Sequence, residues 1–134
     1  MKKIIFTICV FLTLASCEKD EILNQITFPT KTGVKITLKN TSDQFVSGIS
    51  VYAYTNEVYA TNGDNTANAN QTIISNTEGK ANFSNIEYAN TFSGTNIQSY
   101  QFSAHYTLNS VAKTKVVPLT LNQGEVKNLT IILD

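Results

Sequence analysis

The chain has 134 residues, enough for one domain, of which 42% are apolar and 15% are charged. This hydrophobicity supports a packed core and excludes wholesale disorder. Ten basic residues, all lysines, balance ten acidic ones. Because a basic stripe with arginine is missing, we expect no nucleic-acid partner.

The first segment, residues 1–16, has the pattern of an export signal. Lys2 and Lys3 give it a positive start, and residues 4–15 form an apolar run. A helix needs about 20 apolar residues to cross a bilayer, so this run is too short to span one. The pattern predicts a signal peptide, and the alternative is a strand or helix buried in the core.

The apolar run ends in Leu14-Ala15-Ser16-Cys17, which is an aliphatic residue and two small residues before a cysteine. This motif resembles the lipobox of bacterial lipoproteins. The resemblance implies that Cys17 receives a diacylglyceryl group, that the chain is cleaved before it, and that its new amine is acylated, for example with palmitate. Since two or more acyl chains hold a protein firmly, it implies a membrane anchor.

The polar residues after the cysteine extend this resemblance. Lys19, Asp20 and Glu21 resemble the surface-export signal of lipoproteins in one phylum of Gram-negative bacteria. That signal implies a place in the outer leaflet of the outer membrane. The alternative is an ordinary solvated start of the lipidated tether, which we assign to residues 17–32.

From residue 33 onward, apolar and polar residues alternate, which is typical of strands with one buried face. No segment of helical length shows a 3.6-residue period. We therefore expect an all-β domain over residues 33–134, an antiparallel sandwich of about seven strands. The strand candidates are 34–39, 49–54, 72–75, 80–84, 98–107, 111–117 and 126–133.

Turn and edge signals refine this expectation. Residues 76–79 have the signature of a type I turn, which predicts a hairpin with a bulge at Gly79. Lys113 and Lys115 predict a guarded edge strand that runs into Pro118.

Two stretches interrupt the strands. Residues 56–70 and 89–96 are rich in Asn, Thr, Gly and Ala, and we predict that both are loops. The first is long for a compact domain, and long ordered loops often carry function. The alternative is a tolerated surface insertion.

Three of these segments, 33–38, 46–52 and 77–86, together resemble the carboxypeptidase-regulatory-like or prealbumin-like seven-stranded sandwiches, which are related in architecture to immunoglobulin-like domains. The resemblance implies an accessory or adhesive module. A related enzyme branch, the transthyretin-like hydroxyisourate hydrolases, ends in Tyr-Arg-Gly-Ser and carries several His and Arg residues. Residues 130–134 do not match that ending, so we do not expect its activity.

The chain offers few residues for chemistry. His105, the only histidine, is predicted to share a strand face with Ser103 and Thr107. Catalysis needs an oriented base beside a nucleophile, and no nucleophile-elbow motif marks a serine here. A hydrolase that uses His105 is therefore the least favoured reading, and we predict no enzyme activity and no cofactor.

Metal sites are not expected either. Zinc needs three or four nitrogen or sulfur ligands, and Cys9 and Cys17 both belong to the export and lipid-anchor motifs. Residues 62–65 carry oxygen ligands but lack the spaced acidic residues and the distal Glu of a calcium loop.

Three tyrosines form a candidate interaction surface. Tyr52 and Tyr54 are predicted to lie on the face opposite Val51, with Tyr59 nearby in the sequence. Aromatic side chains often anchor interfaces with proteins, and they also stack on sugars. The alternative is that they are ordinary exposed tyrosines, since tyrosine favours strands.

Together these patterns predict an outer-membrane lipoprotein, exposed on the cell surface, that acts as a non-enzymatic binding or assembly module. Its partners would be the membrane, through the lipid anchor, and a protein or glycan. The alternative is a structural or toxin-immunity lipoprotein that faces the periplasm.

Overall fold

A computed structural model describes residues 31–86 and 97–134 of the chain. The predicted signal peptide and most of the tether lie outside the described residues, as does the predicted loop 89–96. The same holds for the predicted lipid site Cys17 and the export signal Lys19, Asp20 and Glu21.

The described part is built mainly from strands. These are β1 (Gly33–Asn40), β2 (Ser50–Thr55), β3 (Gln71–Ile74), β4 (Lys80–Ser84), β5 (Ile97–Leu108), β6 (Val111–Asn122) and β7 (Val126–Leu133). A helix, α1, spans Asn56–Asn62, and a 3₁₀ turn spans Thr66–Asn68. Within residues 31–86 and 97–134, no helix has the length and hydrophobicity needed to cross a membrane.

The strands form two sheets. The first sheet has the order β4-β1-β7, and the second has the order β3-β2-β5-β6. Neighbouring strands run antiparallel, except that β1 and β7 run parallel. This architecture confirms the predicted all-β sandwich of about seven strands. The parallel pair was not predicted, because alternation shows which face of a strand is buried and not which neighbour it has.

Alternating side chains of both sheets fill the core. In β1, Val34, Ile36 and Leu38 are fully buried, on the face that the alternation predicted. Phe83 of the first sheet meets Phe102 of the second edge-to-face, with ring centroids 5.3 Å apart. Such aromatic pairs add to the stabilisation from burial and join the two layers.

The predicted turn at residues 76–79 forms, but the predicted hairpin is wrong. The turn joins β3 to β4, which lie in different sheets. Asn76 Oδ1 accepts a hydrogen bond from the Lys80 amide, and the Gly79 carbonyl accepts one from the amide of Leu38 in β1. The second arm therefore pairs with β1. A Cβ on Gly79 would lie 2.6 Å from the Leu38 carbonyl oxygen, so the turn requires glycine.

β6 is an edge strand, as Lys113 and Lys115 predicted, but it continues through Pro118. An edge strand tolerates proline because one side of its backbone has no neighbouring strand. Both lysines have buried residues as cross-strand partners on β5, so they project on the core side. Their Nζ atoms reach Asp134 after β7, at 2.8 Å from its backbone oxygen and 3.0 Å from Oδ1 respectively. Charges that point inward in this way protect an open edge.

Candidate functional site

Residues 56–70 fold onto the outer face of the second sheet, and we call them the insertion segment. Thr55 caps α1, since its Oγ1 accepts a hydrogen bond from the Val58 amide at 3.3 Å. The helix ends at Gly63, whose amide donates to the Tyr59 carbonyl at 2.8 Å. The predicted loop is therefore wrong for this part. A helix of 7 residues is too short to show a period in the sequence.

The two ends of the insertion segment are fastened side by side. The Asn70 amide donates to the Ala53 carbonyl at 2.9 Å, and Asn70 Oδ1 accepts from the Thr55 amide at 2.8 Å. Gln101 Nε2 on β5 donates to Asn56 Oδ1 at 3.1 Å. The segment thus leaves β2 and returns to β3 at nearly the same point of the sheet.

Asp64 ties the middle of the insertion segment to the sheet. Its Oδ2 accepts a hydrogen bond from Ser103 Oγ at 2.7 Å and lies 2.8 Å from His105 Nε2. Ser103 Oγ and His105 Nε2 are 3.1 Å apart, so the three groups form a triangle. Ser103 is fully buried, whereas the side chains of Asp64 and His105 keep 21% and 31% of their exposure.

The positions of Ser103 and His105 follow from strand geometry. They are two residues apart on β5, and residues at that spacing point to the same face of a sheet. The predicted shared face of Ser103 and His105 is therefore confirmed. Asp64 lies next to them because the chain reverses direction at Gly63, after α1, and passes over β5.

Tyr54 of β2 completes the cluster. Its side chain is fully buried beneath the insertion segment, and its ring meets Tyr59 of α1 nearly edge-on, with centroids 5.6 Å apart. Burial, the hydrogen bond with Asp64 and the charge of that carboxylate raise the pKa of Tyr54 well above its ordinary value.

The Tyr54 hydroxyl and Asp64 Oδ1 are both buried. Within residues 31–86 and 97–134, neither atom has a hydrogen-bond partner that meets the usual limits of distance and angle, although the hydroxyl interacts with the carboxylate closely enough to shift both pKa values. We assign the two groups to each other, because buried polar atoms are nearly always paired.

Asp64 is an ionised carboxylate that the sheet holds in place. Burial acts to raise its pKa, because it disfavours the charged form. Hydrogen bonds from Ser103, Tyr54 and His105, together with electrostatic attraction to His105, outweigh burial and hold the pKa of Asp64 below its ordinary value.

The cluster contains a serine, a histidine and an aspartate, but its geometry is not that of a catalytic triad. In a triad, the histidine contacts the nucleophile through one ring nitrogen and the carboxylate through the other. Here Nε2 of His105 faces both partners, and the Ser103 hydroxyl donates a hydrogen bond to Asp64. Since Ser103 is also fully buried, this arrangement suits fastening better than nucleophilic attack.

The structure brings the three predicted tyrosines together but does not expose all of them. Tyr52 and Tyr59 are partly exposed. Tyr54 lies on the predicted outer face of β2, yet its predicted role in an accessible surface is wrong, because α1 covers it. Tyr52 packs against the His105 ring, with centroids 4.8 Å apart, at the margin of the insertion segment.

Sequence reasoning missed the role of Asp64. It lies 39 positions from Ser103, and no local pattern joins the two residues. The one carboxylate in the oxygen-rich stretch 62–65, that of Asp64, contacts Ser103 and His105 on the sheet. Within the described ranges, no three or more His, Cys, Asp or Glu side chains are grouped so that they could hold a metal ion.

No protein-family model matches the chain, and no curated protein matches it either. Among solved structures, the chain is similar to the major pilin subunit BcpA of Bacillus cereus, with 19% sequence identity and a TM-score of 0.49. The match covers 78% of this chain and 30% of the pilin chain, so this chain spans less than a third of that pilin's length.

We expect Asp64→Asn to lower the free energy of unfolding by about 1–3 kcal/mol at neutral pH, since hydrogen bonds to a charged group contribute about that much. The folded-state pKa of Asp64 is depressed. Its contribution is therefore fully present above its unfolded pKa of about 4 and is lost as the pH falls through the lower folded pKa. Urea unfolding at neutral pH, and at the lowest pH at which the protein stays folded, measures this difference.

Asp43→Asn is the matched control, because Asp43 forms an ion pair with Lys39 while its side chain is 81% exposed. Exposed pairs contribute little, so we expect a small change. If Asp64→Asn lowered the free energy of unfolding by the same amount at both pH values, the charge of the carboxylate would not be what stabilises the cluster.

Proposed function

We propose that this chain is a lipid-anchored outer-membrane protein, displayed on the cell surface, whose β-sandwich binds a partner or assembles with one without catalysing a reaction. The lipobox-like motif that ends at Cys17 supports the anchor. Lys19, Asp20 and Glu21 support display on the outer side.

The insertion segment carries the proposed binding role. None of the residues of α1 or of the 3₁₀ turn is buried, so these elements add nothing to the hydrophobic core. The segment is nevertheless folded and fastened through Asp64. An ordered segment that a rigid scaffold holds outside the core is typical of loops that contact a partner. We propose that the partner contacts this segment and the adjoining Tyr52.

Binding explains the cluster better than hydrolysis does. A hydrolase would need His105 free to accept a proton from an accessible nucleophile. His105 Nε2 is instead directed at Asp64, and Ser103 is closed off from solvent. The same residues are well suited to hold a recognition element in one position.

The surface chemistry favours a protein or a glycan as the partner. In the described part, ion pairs engage lysines on both sheets: Lys39, Lys80, Lys115 and Lys127. A nucleic acid would require a stripe of unpaired cations. The exposed side chains of the insertion segment are largely amides and hydroxyls, which donate and accept hydrogen bonds.

We further propose that the domain is a carboxypeptidase-regulatory-like or prealbumin-like module. The pattern around residues 77–86 supports this assignment, as does a first strand that lies in the middle of its sheet between β4 and β7. Modules of this kind are accessory or adhesive, which agrees with the proposed binding role.

We expect a protease added to intact cells to remove the tagged domain while a periplasmic marker survives. Replacing Lys19, Asp20 and Glu21 together by alanine leaves Cys17 for lipidation and should protect the domain. Immunoblotting of the tag measures both outcomes. If the wild-type domain were protected until the outer membrane was broken, surface display would be wrong, and the periplasm-facing structural or toxin-immunity role would be favoured.

A photo-crosslinking amino acid tests which face meets the partner. Glu57 is exposed on α1, and Asn82 is exposed on the outer face of the first sheet. In intact cells we expect covalent adducts from position 57 and none from position 82, which serves as the matched control. Adducts from position 82 alone would place the partner on the opposite sheet.

A further inference from the structure

We infer that the insertion segment is a hinged cover over the outer face of the second sheet. It opens as a unit while the sandwich stays folded, and Asp64 is the contact that keeps it closed. This goes beyond the proposed function and does not depend on the identity of any partner.

The sandwich does not need the insertion segment for its core. The cluster of buried apolar residues draws on all the strands except β3 and contains no residue of the segment. Because hydrophobic burial is the dominant favourable term in folding, most of the free energy that holds the sheets together comes from side chains outside the cover. Proteins open locally where buried apolar contacts are few.

The insertion segment, in turn, depends on the sheet. Isolated helices shorter than about 12–15 residues are marginal in water, and α1 has 7 residues. Its shape is therefore maintained by tertiary contacts with β2 and β5. When these contacts break, we expect the helix to unfold.

Asp64 supplies the strongest of these contacts. Hydrogen bonds to an ionised group are about twice as strong as neutral ones, and the bonds of Asp64 to Ser103 and His105 are partly buried. The contact from Gln101 to Asn56 is exposed, so water competes with it. The rings of Tyr59 and Tyr54 form a further contact between the segment and the sheet.

The attachment points suit a hinge. The bonds of Asn70 to Ala53 and Thr55 hold both ends of the insertion segment at the same place on β2. Between α1 and Asp64 lies Gly63, which has a positive φ of 63° and open space around its Cβ position. The base can therefore stay fixed while the middle of the segment lifts away.

Opening would change the outer face of the sheet. Tyr54 and Ser103 project from the outer face but are fully buried beneath the cover. When the segment lifts, they join the partly exposed Tyr52 and His105 in one surface of rings and hydroxyls. The cover thus controls access to the tyrosine that the closed state hides.

Hydrogen–deuterium exchange of the full chain, followed by mass spectrometry, tests the inference. In Asp64→Asn we expect the amides of residues 56–70 to exchange about tenfold faster or more, while those of β1 and β7, which open only when the whole sandwich unfolds, stay much slower than those of the segment. Ser103→Ala, which removes one donor, should give a smaller increase. Asp43→Asn, the matched control, should leave the insertion segment unchanged. Nitration of Tyr54 should increase in parallel with exchange.

Each other outcome overturns the inference. If the amides of residues 56–70 exchange as slowly as those of β1 and β7 in the same protein, the segment unfolds only with the whole sandwich. If Asp64→Asn leaves the exchange of the segment unchanged, Asp64 is not the contact that closes it. If Asp64→Asn fails to fold, the sandwich is not independent of the cover.

Discussion

The carboxylate of Asp64 decides where the insertion segment lies on the sandwich. An ionised group that is partly withdrawn from water costs free energy unless hydrogen bonds replace its lost hydration. Ser103, His105 and Tyr54 provide that replacement from two adjacent strands. Because the three donors have fixed positions on one sheet, the carboxylate that they stabilise is confined to one place. A segment without a buried residue in its helix thereby acquires a defined position.

The molecule divides into a scaffold and a cover that are stabilised by different forces. The scaffold is stabilised by burial of alternating apolar side chains. At its open edge, Lys113 and Lys115 of β6 bind Asp134, which follows β7. The cover rests on a few polar contacts and one pair of tyrosine rings. Apolar burial varies little with pH, whereas a carboxylate contact is lost in acid. The two parts therefore respond differently to the same change in conditions.

Sequence alternation predicted the buried faces because burial on one side of a strand leaves a period of two. It did not predict the sheet partners of the turn at 76–79, since pairing depends on distant strands such as β1. It placed Tyr54 on the correct face but could not show that α1 covers it. The contact of Asp64 with Ser103 spans 39 positions, and neither residue carries a local motif. The sequence therefore predicted only part of the site, namely the tyrosines and His105.

The most direct test of the role of Asp64 is a double-mutant cycle with Asp64→Ala and Ser103→Ala, measured by the free energy of unfolding. If the two side chains form one interaction, the double variant should lose less than the sum of the single losses, with a coupling of about 1–2 kcal/mol. As a control, the losses in the free energy of unfolding from Asp64→Ala and from Ser84→Ala, on the first sheet, should add up in the double variant. Additivity of the Asp64 and Ser103 variants as well would contradict a structure in which this carboxylate holds the insertion segment to the sheet.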